Sequence, residues 1–187
     1  MWKTIIASLA LFSSLAFAGP KVVFETTLGA FTVELDKKNA PTTVANFVKY
    51  VKDGSYIGTQ FHRVIPGFMA QGGGFDKDMN PVPTYAPIKN EASNGLKNQV
   101  ATIAMARTSD PNSATRQFFI NYKDNNFLDY NKNDKTKPLT DGYAVFGKVI
   151  RGFDTVKNMS KVSTTTKGRY RDVPEPAIII TKTTLVP

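Results

Sequence analysis

The residue types that could do chemistry gather in one stretch of this chain, FHRVIPGFMAQGGGF, from Phe61 to Phe75. Phe61, His62 and Val64 are set around Arg63 in strand fashion, and Pro66-Gly67 is a turn dipeptide. A second strand, Phe68-Met69-Ala70-Gln71, runs into three glycines. A hairpin of this kind can place one cation, two large apolar side chains and an amide around the same hollow. If Arg63 and Gln71 share a face with Phe68 or Met69, the hollow is apolar with two hydrogen-bonding groups at its wall, the usual make-up of a small binding site. The plainer alternative on this stretch alone is a strand pair with one solvated arginine.

Other chemistries fare poorly. Cysteine is absent and His62 is the only histidine. Thiol nucleophiles, disulfides and thiolate metal sites are therefore excluded, and a transition-metal site would need carboxylates alone. His62 lies between Phe61 and Arg63 in a strand, which reads as a packed, hydrogen-bonded core histidine and not as part of a Ser-His-Asp set. Gly72-Gly73-Gly74 lacks the Lys-Ser/Thr that a phosphate-binding loop needs. Asp129, Asn131, Asn133 and Thr140 fall at positions 1, 3, 5 and 12 of a calcium-loop register. Asp134 stands where that loop requires glycine, and the last position lacks a bidentate Glu. The segment DYNKNDKTKPLTDG reads as a solvated insertion, so neither a metal nor a cofactor is expected.

The elements that must position Arg63 and its neighbours are mostly strands. Lys21 to Thr27 and Ala30 to Asp36 alternate around Leu28-Gly29 as a hairpin, with Val22, Phe24, Phe31, Val33 and Leu35 as its apolar members. Pro41 opens a helix, at a position where its missing N–H costs nothing. Val44, Phe47, Val48 and Val51 make one apolar stripe on it, and Gly54 ends it. Phe75 to Gln99, with Pro81, Pro83 and Pro87, is a long surface loop. Val100–Ala106, Gln117–Tyr122, Tyr143–Ile150 and Ala177–Leu185 read as strands. Phe153–Lys161 reads as a short helix with Phe153, Val156 and Met159 on one face. About eight strands and two helices, without βαβ alternation, predict a mainly β fold: a closed eight-stranded antiparallel barrel capped by two helices. The interior of such a barrel is filled by side chains, so a site belongs on its outer wall.

With 187 residues, 41% of them hydrophobic and 21% charged, the chain suits one folded domain. The net charge of +9 keeps an anionic partner in view. Lys157, Lys161, Lys167, Arg169 and Arg171 are interleaved with no aromatic but Tyr170, which favours a solvated basic face over a nucleic-acid site. At the N-terminus Lys3 precedes the small, apolar run Thr4 to Phe17, and Ala16-Phe17-Ala18 fits a cleavage site. The run is too short to span a bilayer. Residues 1–18 are therefore expected to be a signal peptide cleaved after Ala18, leaving residues 19–187 as a single domain without stable membrane insertion.

Three blocks, FHRVIPGFMAQGGGF, AMARTSDPNSATRQFFIN and YAVFGKV, resemble in that order the cyclophilin-type peptidyl-prolyl cis-trans isomerases. The resemblance runs from about Val22 to Leu185 and is greatest to the secreted bacterial branch. It implies a cyclophilin-like barrel, a monomer, and a periplasmic enzyme that speeds X–Pro bond rotation while exported polypeptides fold. Residue by residue, it puts the catalytic arginine on Arg63, with Gln71 steadying it or a neighbouring carbonyl. The proline pocket falls on Phe68, Met69, Phe119 and Leu128. Ala106, Arg107, Thr108 and Gln117 match the groove for residues before proline, with Arg107 acting largely through its backbone. Phe127 stands where the best-known eukaryotic members carry tryptophan, which implies weak cyclosporin binding. Tyr143 stands where they carry histidine, which changes the pocket edge. The same pocket would also suit a proline-directed binding module or holding chaperone with incidental turnover.

Overall fold

The computed structural model describes residues 19–133 and 141–186. The expected signal segment and residues 134–140 of the insertion lie outside the described residues. The N-terminal hairpin is as the alternation predicts: β1 (Lys21–Thr26) and β2 (Gly29–Leu35) pair with Val22 opposite Val33 and Phe24 opposite Phe31. All four face inward and are buried. Helix α1 (Pro41–Lys52) begins at its proline, and its own cap residue, Ala40, offers no side-chain bond. The Glu91 carboxylate supplies the cap from the long loop, accepting hydrogen bonds from the Thr42 and Thr43 N–H groups at 3.0 and 2.8 Å. Burial opposes ionisation of Glu91, but the bonds from Thr43 and Thr42 outweigh it and hold the carboxyl below its ordinary value.

The remaining elements are β3 (Gln60–Phe61), β4 (Arg63–Ile65), β5 (Met69–Gly72), β6 (Thr102–Met105), β7 (Phe118–Asn121), β8 (Val145–Arg151), α2 (Phe153–Met159), β9 (Thr164–Lys167), β10 (Tyr170–Pro174) and β11 (Ile178–Val186). One antiparallel sheet runs in the order β3-β11-β1-β2-β8-β6-β7-β5-β4. Its two outermost strands are consecutive in the chain, separated only by His62, so the sheet curls round into a nearly closed barrel. Nine strands appear where eight were expected because His62 interrupts what otherwise reads as one strand. The β9–β10 ribbon was not foreseen at all. Its sequence, TTTK and YRDVP, has almost no apolar alternation; Val173 and Pro174 are its buried residues, and Tyr170 packs edge-on against Phe75 at 4.9 Å.

Aromatic rings fill the barrel. Phe24 stacks on Phe31 at 5.0 Å, and Phe47 of α1 meets Phe146 at 4.9 Å. Val156 and Met159 of α2 bury into the same core, with Phe153 packed against it. Strands expose opposite faces at successive residues. Ala70, Ile103, Met105, Phe118, Ile120 and Phe146 therefore belong to the interior, while Met69, Ala104, Phe119 and Val145 form a second cluster with Leu128 on the outside. Arg116 is fully buried just before β7. Its Nε donates to the Gly73 carbonyl at 2.6 Å and its Nη1 to the Pro83 carbonyl at 2.7 Å, while Nη2 donates to the Ser55 carbonyl. Three connections are thus tied to one side chain, whose charge also lies 4.9 Å from the Tyr50 ring centre.

Candidate active site

The outer cluster is the floor of a row that crosses the barrel wall. Arg63 on β4 stands opposite Gln71 on β5, Gln71 opposite Phe119 on β7, Phe119 opposite Ala104 on β6, and Ala104 opposite Val145 on β8. Directly opposed residues share a face, so the register alone sets a guanidinium, an amide and an aromatic ring side by side. They border a hollow of about 220 Å³. Arg63, Phe68, Met69, Gln71, Ala106, Arg107, Phe119, Leu128 and Tyr143, nine residues expected from the sequence, line it. A larger hollow, about 670 Å³, near Pro20, Lys38 and Lys148 shares no lining residue with it.

The other three expected residues stand beside the hollow. Gln117 accepts a hydrogen bond from the Gln71 amide at 2.9 Å. Gly74 allows this: a Cβ there would sit 2.5 Å from the Gln117 side chain. Phe127 stacks on Phe68 at 5.6 Å and is half exposed. Thr108 is exposed and pairs with Ser113. Gln71 thus gives one amide N–H to Gln117, while its second N–H and its oxygen have no partner among the described residues. The group facing Arg63 is Asp172 on β10, whose Oδ2 lies 3.8 Å from Nε in a half-exposed ion pair.

His62 is packed, as expected, with its ring 4.6 Å from that of Phe75. Its Nδ1 has no hydrogen-bond partner among the described residues. Burial pushes the imidazole down to about 4; the Gln60 backbone works against this shift and the Arg63 charge with it. A neutral ring beside Arg63 leaves the guanidinium without a competing cation.

The arrangement can bind an apolar ring in a hollow bordered by the permanent charges of Arg63 and Arg107. It contains no nucleophile and base within reach of one another, and no cluster of three possible metal ligands occurs among the described residues. A model of the family "Cyclophilin type peptidyl-prolyl cis-trans isomerase/CLD" matches residues 21–185. The chain belongs to the cyclophilin family. This cyclophilin is 51% identical over 176 residues to a peptidyl-prolyl cis-trans isomerase of Acinetobacter baylyi, covering 94% of this chain and 90% of the relative. It is 47% identical to peptidyl-prolyl cis-trans isomerase A of Dickeya dadantii, with 96% of each chain covered. A solved cyclophilin-type isomerase of Cryptosporidium parvum matches at a TM-score of 0.69 and 26% identity, covering 88% of this chain and 96% of its own. The same protein has been solved in the presence of the dipeptide Ala-Pro. Our chain is thus a peptidyl-prolyl cis-trans isomerase.

Sequence reasoning missed the residues that hold this cyclophilin's pocket together. Asn98, Asn121 and Asn125 are completely buried. Asn125 donates to the Phe68 carbonyl at 3.0 Å and to Asn121 at 2.8 Å, and Asn121 donates to Thr102 at 2.9 Å. Asn98 donates to the carbonyls of Leu128 and Tyr143 at 3.2 and 3.3 Å. Three wall segments of the hollow are thereby joined through one amide network. The one available signal was Asn121, a polar residue inside the apolar run QFFINY.

Proposed function

We propose that Arg63 accelerates X–Pro rotation by donating to the proline nitrogen as the amide twists. An amide resists rotation by roughly 18–20 kcal/mol, and X–Pro bonds flip unaided in tens to hundreds of seconds. Twisting breaks the conjugation, so the nitrogen becomes pyramidal and gains a lone pair. A donor aimed there binds the twisted state better than either planar one, which is what catalysis requires. Arginine suits the task because it stays charged and its planar fork is rigid. Raising the rate from about 10⁻² to about 10³ per second needs roughly 7 kcal/mol. A charge-assisted bond, desolvation of the ring and a held geometry together can supply it.

The observation that carries this reading is the register row Arg63–Gln71–Phe119. It puts the charge beside an apolar seat formed with Phe68, Met69 and Leu128. The substrates are proline-containing unfolded or partly folded polypeptides, and the structure of the Cryptosporidium relative solved in the presence of Ala-Pro supports that class. The N-terminal run ending at Ala18 supports export to the periplasm. Phe127, with no indole N–H, supports weak cyclosporin binding, and the chain acts as a monomer. Arg63→Ala should lower kcat/KM by about 10²–10³, as losing one transition-state donor does. A protease-coupled proline-peptide assay reads this directly, and an unchanged rate removes Arg63 from the mechanism.

A further inference from the structure

Two guanidiniums line the hollow, and the mechanism uses only one. Arg107 supplies the second from just beyond β6. In the order β4-β5-β7-β6 that is three strand steps from Arg63, roughly 14 Å at the usual strand spacing. The Arg107 side chain is held in place. Its Nε donates to the Gly142 carbonyl at 3.0 Å and its Nη1 to the Thr108 carbonyl at 2.8 Å. Its Cζ lies 4.5 Å from the centre of the Tyr143 ring, which in turn meets the Phe119 ring edge-on at 5.7 Å. Gly142 is itself pinned: its φ is +60°, and a Cβ there would lie 2.3 Å from the Tyr130 nitrogen.

A guanidinium carries five N–H donors, and these two bonds leave Nη2 and half of Nη1 unspent. Arg107 has no ion-pair partner among the described residues, and no Asp or Glu lines the hollow. A half-buried, fixed cation with spare donors is satisfied best by a carboxylate, whose two oxygens match its fork. No described residue supplies that carboxylate, which leaves the role to the substrate. The geometry points to Arg107 as the residue that selects polypeptides carrying an acidic side chain beside the isomerising proline, on the Arg107 side of the ring. This selectivity rests on the isomerase reading of the hollow and adds a substrate class to it.

Exchange NMR on the peptides Ala-Xaa-Pro-Phe and Ala-Ala-Pro-Xaa, with Xaa as Glu, Ala or Lys, tests it for the wild type, Arg107→Gln and Arg107→Lys. At one of the two positions the wild type should favour Glu over Lys by about ten-fold, in KM and not in kcat, as expected for a charge-assisted contact. The ratio should shrink in 0.5 M salt, where the Debye length is about 4 Å. It should fall to about one in Arg107→Gln and survive in part in Arg107→Lys, which keeps the charge without the fork. Because each ratio is taken within one variant, partial misfolding does not imitate the result. Equal turnover of all the peptides by the wild type, or an undiminished ratio in Arg107→Gln, overturns the role of Arg107 and leaves the isomerase standing. No turnover of any peptide overturns the isomerase reading itself.

Discussion

His62 and Arg63 are neighbours in the chain with opposite surroundings, and the contrast has a consequence for acid stability. The folded protein keeps the imidazole neutral down to about pH 4 because the ring is buried. The unfolded chain protonates it near the ordinary value of about 6.5. As pH falls through that interval the unfolded state gains a proton that the native state refuses, so stability falls with it. A shift from 6.5 to about 4 corresponds to about 3 kcal/mol. Urea unfolding of wild type and His62→Phe at pH 7 and pH 4.5 should show most of that loss in the wild type only. The depressed carboxyls of Asp53 and Glu91 act lower on the scale, at and below ordinary carboxylate values. Much at this scale was legible in the sequence. Arg63, Gln71 and Phe119 follow from period-two alternation plus the resemblance of three short blocks. Asp172 was not legible, since it sits in a polar ribbon whose docking beside β4 no local pattern announces.

Loops, not strands, decide how well the hollow keeps its shape. The segment from Phe75 to Gln99 reads as a loop and is one, apart from a 3₁₀ turn at Ala92–Asn94. What its composition did not disclose is that it supplies structural groups to distant elements. Glu91 caps α1, and Asn98 bonds to the carbonyls of Leu128 and Tyr143. These partners are 30 to 48 residues apart in sequence, too far for turn or helix rules to reach. Asn98→Ala takes the side-chain donor from the Tyr143 carbonyl, leaves that of Leu128 with only the Tyr143 N–H, and empties a fully buried site. The expected cost is about 1–3 kcal/mol of stability. Because Leu128 and Tyr143 both line the hollow, KM for proline peptides should rise as well. Thermal unfolding and steady-state kinetics on the same preparation check both halves, and an unchanged KM separates the network from the pocket.

At the scale of the whole molecule, the barrel was readable because its strands are short, apolar on their inner face and joined by clear turns. Strand count was less so, since a single interruption at His62 alters it without changing the fold. No helix among the described residues is long and apolar enough to cross a membrane. Trp2 is the chain's single tryptophan and lies within the segment proposed to be removed on export. Protein purified from the periplasm should therefore emit with a tyrosine-like spectrum; tryptophan emission from that material overturns cleavage after Ala18.

Cylinder closure and turnover are also bound together by position. The sheet's first and last strands flank His62, and Arg63 is the first residue beyond it. Local openings start where the fewest buried contacts resist them, and β3 and β4 are only two and three residues long. Loosening of these short strands moves the guanidinium together with Phe61, whose ring meets those of Phe31 and Phe118 inside the barrel. On the proposed mechanism, turnover therefore reports on the same short stretch that closes the cylinder, and the two are lost together.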